Sequence, residues 1–293
     1  MSEPVSASET AWRLPHRSAG MLLAKLRKSW QILSAGVSYS LFGAGALLVG
    51  IFFRLMSPVT IISPAKKQRM IRWCIHKGCL TFIRIMRFFG LIRYSFDVDS
   101  MHKARPGHIV IANHPSLIDV VLLLAVNKQM CCFVKSAIWD NFFTGAVVRQ
   151  AGFIPNNAEQ VLPMAAAKLE AGENILIFPE GTRTKVDNVL RFKRGAANMA
   201  VAVNASIMPV MIECYPRALK KGDKWYDIPE GGPAFTLRSG ELLALDDCID
   251  TSLPRPKQYR HLTQFLENYY NKQLSTETTA TPEQLENQRG NAL

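Results

Sequence analysis

The pairing in this chain best suited to moving a proton is a histidine followed five residues later by an aspartate, in Asn113-His114-Pro115-Ser116-Leu117-Ile118-Asp119. An imidazole titrates near pH 6.5 and can accept a proton close to neutrality. A carboxylate folded back by the Pro115-Ser116 turn would hold one ring nitrogen and leave the other for a substrate hydroxyl, the arrangement of a general base. A second polar stretch, Phe178-Pro179-Glu180-Gly181-Thr182-Arg183-Thr184, brings a guanidinium whose planar fork suits a phosphate or other anion. Gly181 would let backbone N–H groups approach developing negative charge, and Glu180 either orients a hydroxyl or braces the loop. Two further cations, Lys193 and Arg194 in Phe192-Lys193-Arg194-Gly195, either grip phosphates or form a plain solvated helix start. The chain lacks a Gly-x-Ser-x-Gly elbow, so nothing in it calls for a covalent enzyme intermediate.

Both polar stretches follow apolar runs, His108 to Ala112 and Ile175 to Ile177, which read as buried strands. Two turns at the ends of two strands converge where α/β proteins place their sites, along one edge of the sheet. Further strands are expected at Tyr94 to Val98, Met130 to Val134, Gly152 to Pro155, Ile207 to Cys214 and Pro233 to Leu237. Helices are expected from Leu117 to Val126, Ala137 to Gln150 and Glu159 to Ala171. That alternation predicts an α/β fold, a mostly parallel central sheet flanked by helices. Gly240 to Asp250 reads as an edge hairpin or loop, and Leu253 to Pro256 as a linker into a helix from Tyr259 to Gln273.

The His-x4-Asp turn, the Phe-Pro-Glu-Gly-Thr-Arg turn, Phe192 to Ala196, and Ile207-Met208-Pro209-Val210 together resemble the 1-acyl-glycerol-3-phosphate acyltransferase family in order and spacing. The resemblance spans roughly residues 97 to 245. It implies an acyl transfer from acyl-CoA or acyl-ACP to a lyso-lipid hydroxyl, with His114 and Asp119 catalytic and Glu180, Gly181, Thr182, Arg183, Lys193, Arg194 and Gly152 around the substrate. It also implies a glycerol-3-phosphate acyltransferase-like fold and an N-terminal two-helix membrane-binding unit, with the catalytic domain on the cytoplasmic face of the inner membrane. One departure stands out. The family places an arginine just beyond a Gly-x-Ile strand, whereas this chain reads Gly152-Phe153-Ile154-Pro155-Asn156-Asn157, so a phosphate-free acceptor such as a lyso-aminolipid, glycolipid or polyene lipid stays open. A relative that binds lipid without turnover is a further alternative.

Composition adds a membrane argument. Of the formal charge of +12, residues 1 to 107 hold all the excess, with 16 Lys and Arg against 4 Asp and Glu, while the remainder is balanced at 19 against 19. A basic segment can meet nucleic acid or an anionic lipid surface. The 25 uncharged residues from Ser29 to Phe53 favour lipid, since that length can cross a hydrocarbon core of about 30 Å or dip in and return. Arg69 to Phe96 repeats apolar residues at three- and four-residue steps among basic ones, an amphipathic helix that either lies in a headgroup layer or packs on the catalytic domain. The six cysteines show no metal-ligand spacing and read as reduced thiols, so neither zinc nor another metal cofactor is expected. The chain therefore divides into a mobile tail (1 to 20), a membrane-binding helical segment (21 to 96), a catalytic domain (97 to 252), and a C-terminal helix with a disordered tail (253 to 293).

Overall fold

A computed structural model describes residues 16–55, 63–142, 144–156, 160–184 and 189–277. The expected tails therefore fall outside the described residues at 1–15 and 278–293. In chain order the elements are α1 (His16–Leu55), α2 (Pro64–Phe88), β1 (Arg93–Asp97), α3 (Asp99–Lys103), β2 (Ile109–Ala112), α4 (Asp119–Val126), β3 (Met130–Val134), α5 (Ser136–Trp139) and α6 (Gly145–Gln150). They continue with β4 (Ile154–Pro155), α7 (Val161–Glu170), β5 (Asn174–Ile177), α8 (Gly195–Val203), β6 (Ile207–Tyr215), β7 (Ala234–Ser239), α9 (Leu245–Cys248) and α10 (Arg255–Glu277).

The strands form one sheet in the order β1-β7-β6-β2-β5-β3-β4. All neighbours run parallel except β6 and β7, which pair antiparallel, so the sheet is mixed and mostly parallel. All four residues of β2 are buried, as the continuous apolar run requires of a central strand covered on both faces. Because β2, β5 and β3 are parallel, their C-terminal ends share one edge.

Several local expectations are corrected. The helix expected over Ala137 to Gln150 is two short helices, because the Asn141 side chain accepts the Thr144 N–H at 3.1 Å and turns the chain between them. Gly240 to Asp250 holds the α9 turn and a single bridge from Leu243 to Ile207. Helix α1 already runs at His16, inside the expected tail, and α10 continues to Glu277, past the point where disorder was expected. Helix α2 ends at Phe88, where Leu91 N–H reaches back to the Met86 carbonyl at 2.9 Å.

The apolar stripe of α2 does not face outward. Ile71, Cys79, Phe82, Ile83 and Met86 are buried, and the helix packs against α4 and α1. Arg72 is buried with them, where it donates to the Ala151 carbonyl at 2.8 Å and pairs with Glu173 at 2.9 Å. The acid missing from its own segment thus arrives from a hundred residues downstream. What α2 exposes includes Met70, Trp73 and Phe88 together with its basic residues Lys66, Arg69, Lys77, Arg84 and Arg87.

Helix α10 is part of the core. Its Tyr270 is fully buried, and the hydroxyl donates to the Ile111 carbonyl at 2.5 Å while accepting the Val210 N–H at 3.0 Å. It therefore stands between two backbone groups that a parallel β2–β6 ladder would pair directly. Beyond β2 the Asn113 amide takes over, donating to the Ile212 carbonyl at 2.8 Å and accepting its N–H at 2.7 Å. A side chain thereby extends the seam after the strand has ended. Replacing Tyr270 by Phe should cost about 1–3 kcal/mol by exposing two buried backbone groups to loss of their partner. Chemical denaturation of the two proteins checks it, and equal midpoints would show that Ile111 and Val210 pair without the hydroxyl.

Candidate active site

The two polar stretches meet. His114 leaves the end of β2, Asp119 opens α4, and Nδ1 of the imidazole lies 2.7 Å from Oδ2 of Asp119. The same oxygen accepts the Ser116 N–H at 2.7 Å, so the turn that folds the aspartate back is closed by the aspartate itself. Asp119 is 0% exposed, and its Oδ1 has no hydrogen-bond partner. Burial pushes its carboxyl above the usual carboxylate range, against the hydrogen bond and charge of His114. With Nδ1 held, Nε2 is the nitrogen left for the cavity that His114 lines. The ring stacks on Phe178 at 4.3 Å between centroids, which fixes its plane. His108, at the other end of the same strand, is buried with Nδ1 against the Arg105 carbonyl and takes no part.

Glu180 braces. Its Oε1 accepts the His114 N–H at 2.8 Å and the Thr184 hydroxyl at 2.8 Å, while the Thr184 N–H donates to the His114 carbonyl at 2.7 Å. Gly181 lines the cavity, and its own N–H is spent on the Phe178 carbonyl at 3.1 Å. A φ of +69° and the Lys193 side chain lying over it account for the glycine. Arg183 turns Nη1 onto the carbonyls of Leu219 (2.9 Å) and Lys220 (2.7 Å) and borders the cavity.

That cavity, about 1340 Å³, reaches from His114 between α1, α2 and the sheet. Its buried or half-buried wall includes Phe42, Phe82, Cys132, Val134 and Leu176. The solvent side carries Lys77, Lys135, Arg183, Lys193 and Lys221, and no Asp or Glu lines it among the described residues. Thr182 and Lys193 are thus brought to the site, whereas Arg194 is exposed and outside the cavity lining. Gly152 also lies elsewhere. A Cβ there would sit 2.0 Å from Gln68 Nε2, so this glycine admits the side chain by which α2 reaches the Ala151 carbonyl. Arg149, in the last turn of the preceding helix, donates to the Trp139 carbonyl and is outside the cavity lining.

Sequence reading missed Lys135 and Lys221. Lys135 directly follows β3, as His114 nearly follows β2, and the rule that ligands gather at carboxyl ends of parallel strands could have found it. Lys221 lies on the long connection after β6, where no local pattern points inward. Asn156, at the end of β4, lines the cavity where the family pattern has its arginine.

Comparison with known proteins agrees with this geometry. Residues 95–213 match the family profile described as Acyltransferase. Human 1-acyl-sn-glycerol-3-phosphate acyltransferase beta is 26% identical over 184 residues, 57% of this chain and 65% of its own length. The 1-acyl-sn-glycerol-3-phosphate acyltransferase of Helicobacter pylori is 30% identical over 112 residues, 36% of this chain and 47% of its own. The chain thus spans less than two thirds of these relatives' lengths. The crystal structure of the 1-acyl-sn-glycerophosphate acyltransferase PlsC from Thermotoga maritima shares the fold, with a TM-score of 0.64 at 20% identity, covering 88% of this chain and all of that one. Residues 95–213 are thus similar to the Acyltransferase profile and, in sequence, to the 1-acyl-sn-glycerol-3-phosphate acyltransferases of human and Helicobacter pylori.

Proposed function

We propose that this protein transfers a fatty acyl group from acyl-CoA or acyl-ACP to the hydroxyl of a lysophospholipid at a membrane surface, most simply 1-acyl-glycerol-3-phosphate to phosphatidate. The observation that carries this reading is the position of the His114–Asp119 pair between an apolar chamber and a set of solvent-facing cations. Such a chamber suits an acyl chain, and the cations suit an anionic headgroup or the phosphates of a donor.

In this scheme Nε2 of His114 takes the acceptor hydroxyl proton as the oxygen attacks the thioester carbonyl carbon. The tetrahedral adduct collapses, the carbon–sulfur bond breaks, and the departing thiolate recovers the proton from the imidazolium. Asp119 holds the tautomer, and its buried, half-satisfied carboxylate favours positive charge growing on the ring. Lys193 supplies positive charge beside the adduct oxygen, and Arg183 meets the anionic headgroup of the acceptor.

The membrane part rests on α1, whose stretch Met21–Leu55 is long and apolar enough to cross a bilayer. It exposes Leu22, Leu26, Leu33, Leu41, Leu48 and Phe52. Near both ends of its uncharged run it is packed on the catalytic domain, Gly36 against Trp225 and Gly50 against Val147. Those contacts favour a helix lying along the domain in one leaflet over a crossing, on the cytoplasmic face of the inner membrane. A second reading, a phosphate-free acceptor, is favoured by Asn156 alone.

The full chain in vesicles, given labelled acyl-CoA or acyl-ACP and lyso-lipids with and without phosphate, should acylate the phosphate-bearing ones. Turnover confined to phosphate-free acceptors would reverse that choice. His114→Ala should lower turnover by about 10² to 10⁴ with vesicle binding intact, the range for general-base assistance. Full activity in that variant would remove the imidazole from the mechanism. For Glu180→Ala we expect a loss of about 1–3 kcal/mol of stability from two unpaired donors. Glu180→Gln, which keeps an acceptor oxygen, should restore most of it together with activity. A stable but inactive glutamine variant would instead place Glu180 in the chemistry.

A further inference from the structure

Arg183 is oriented by backbone: its Nη1 reaches the Leu219 and Lys220 carbonyls, and no carboxylate forms an ion pair with it among the described residues. The Leu219 carbonyl also accepts the N–H of Leu117, three residues after His114, at 3.1 Å. Leu219 is buried with φ +57°, a conformation a branched side chain adopts only where its surroundings impose it. The arginine is therefore only as well placed as this short piece of chain.

Six residues further on, the same segment meets α1. The Trp225 ring lies 3.6 Å from the place of a Cβ on Gly36, and it sits edge-on to Tyr39 at 5.8 Å. Gln31 donates to the Pro229 carbonyl at 3.3 Å, Lys28 to the Tyr226 carbonyl at 3.4 Å, and Arg27 pairs with Glu230 at 2.9 Å. These last are exposed polar contacts that contribute little alone. Trp225, 41% exposed, supplies the aromatic contact of the segment with the helix. Between the two ends, Lys220 N–H is tied to Asp223 at 2.9 Å, and Lys221 lines the cavity.

We propose that Trp225 is a positioning residue: by seating the 219–230 segment on α1 it sets the Arg183 guanidinium, so that acceptor binding depends on how the apolar N-terminal helix is docked. This deepens the proposed function and rests on it. A small ring displacement at Gly36 is carried along six residues to a carbonyl shared by Arg183 and the His114 turn, with no change at the imidazole.

The test compares wild-type protein, Trp225→Ala and Trp225→Phe in vesicles. For the alanine variant the acceptor KM should rise about tenfold, the equivalent of about 1.4 kcal/mol, with donor KM and pH profile unchanged, and phenylalanine should restore it. Hydrogen exchange supplies a readout independent of activity: the Leu117 and Lys220 amides should exchange about tenfold faster in Trp225→Ala while Val110 in β2 is unaffected. Unchanged acceptor KM and exchange would overturn the proposal, and so would equal rises in both KM values with faster exchange throughout, which is general loosening. If wild-type protein transfers no acyl group, the proposed function falls, and the exchange comparison still decides whether Trp225 governs this segment.

Discussion

Everything at the site depends on a reciprocal clamp between the ends of two parallel strands. Where β2 stops, its ladder bonds stop too, and a backbone leaving a sheet edge would fray unless its polar groups found other partners. His114 finds them in the neighbouring loop, its N–H on Glu180 and its carbonyl on Thr184 N–H. One residue earlier, the Asn113 amide does the same toward β6. The central strand is thus continued to left and right by side chains, and the imidazole stands on a backbone fixed from both sides. Burial raises the proton affinity of Glu180, and the hydrogen bonds it accepts oppose that. A partly desolvated carboxylate is a costly brace, and its cost is offset only because every bond it makes is short and well directed.

The sequence was most legible where a single short pattern carries its own meaning. Ile109 to Ala112 is apolar without interruption, and only a strand buried on both faces needs that. The Pro115-Ser116 turn between His114 and Asp119 is similarly self-contained, so the pair could be inferred before any coordinates. What stayed hidden was the identity of distant partners. The stripe on α2 is correctly periodic, but periodicity names a face without saying whether lipid or α4 covers it. The acid that pairs with Arg72, Glu173, is a hundred residues away, beyond the reach of any local pattern. Gly152 looked like a motif glycine because its true neighbour, Gln68, lies in the N-terminal segment. The break at Asn141, whose Oδ1 accepts both the Thr144 N–H and the Thr144 hydroxyl, rests on local side-chain bonds that composition cannot weigh. Apart from Asn141, the deciding contact joins elements far apart in the chain.

The same distance explains the uneven charge. Lys77 comes from the basic N-terminal segment, whereas Lys135, Arg183, Lys193 and Lys221 come from the balanced remainder, yet all five border one cavity without a lining carboxylate. Net charge per segment therefore says little about charge per site: among the described residues, Glu180 is held on His114 N–H, Glu173 on Arg72 and Asp223 on Lys220 N–H. Like charges lining one cavity repel one another, and solvent exposure reduces that cost without removing it. An anion between them relieves it further. The interior wall, with Phe82, Cys132 and Leu176, offers a charged group nothing and a hydrocarbon chain a great deal. The cavity thus joins an apolar wall to a cationic side, and His114, its Nδ1 held by Asp119, is among the residues that line it.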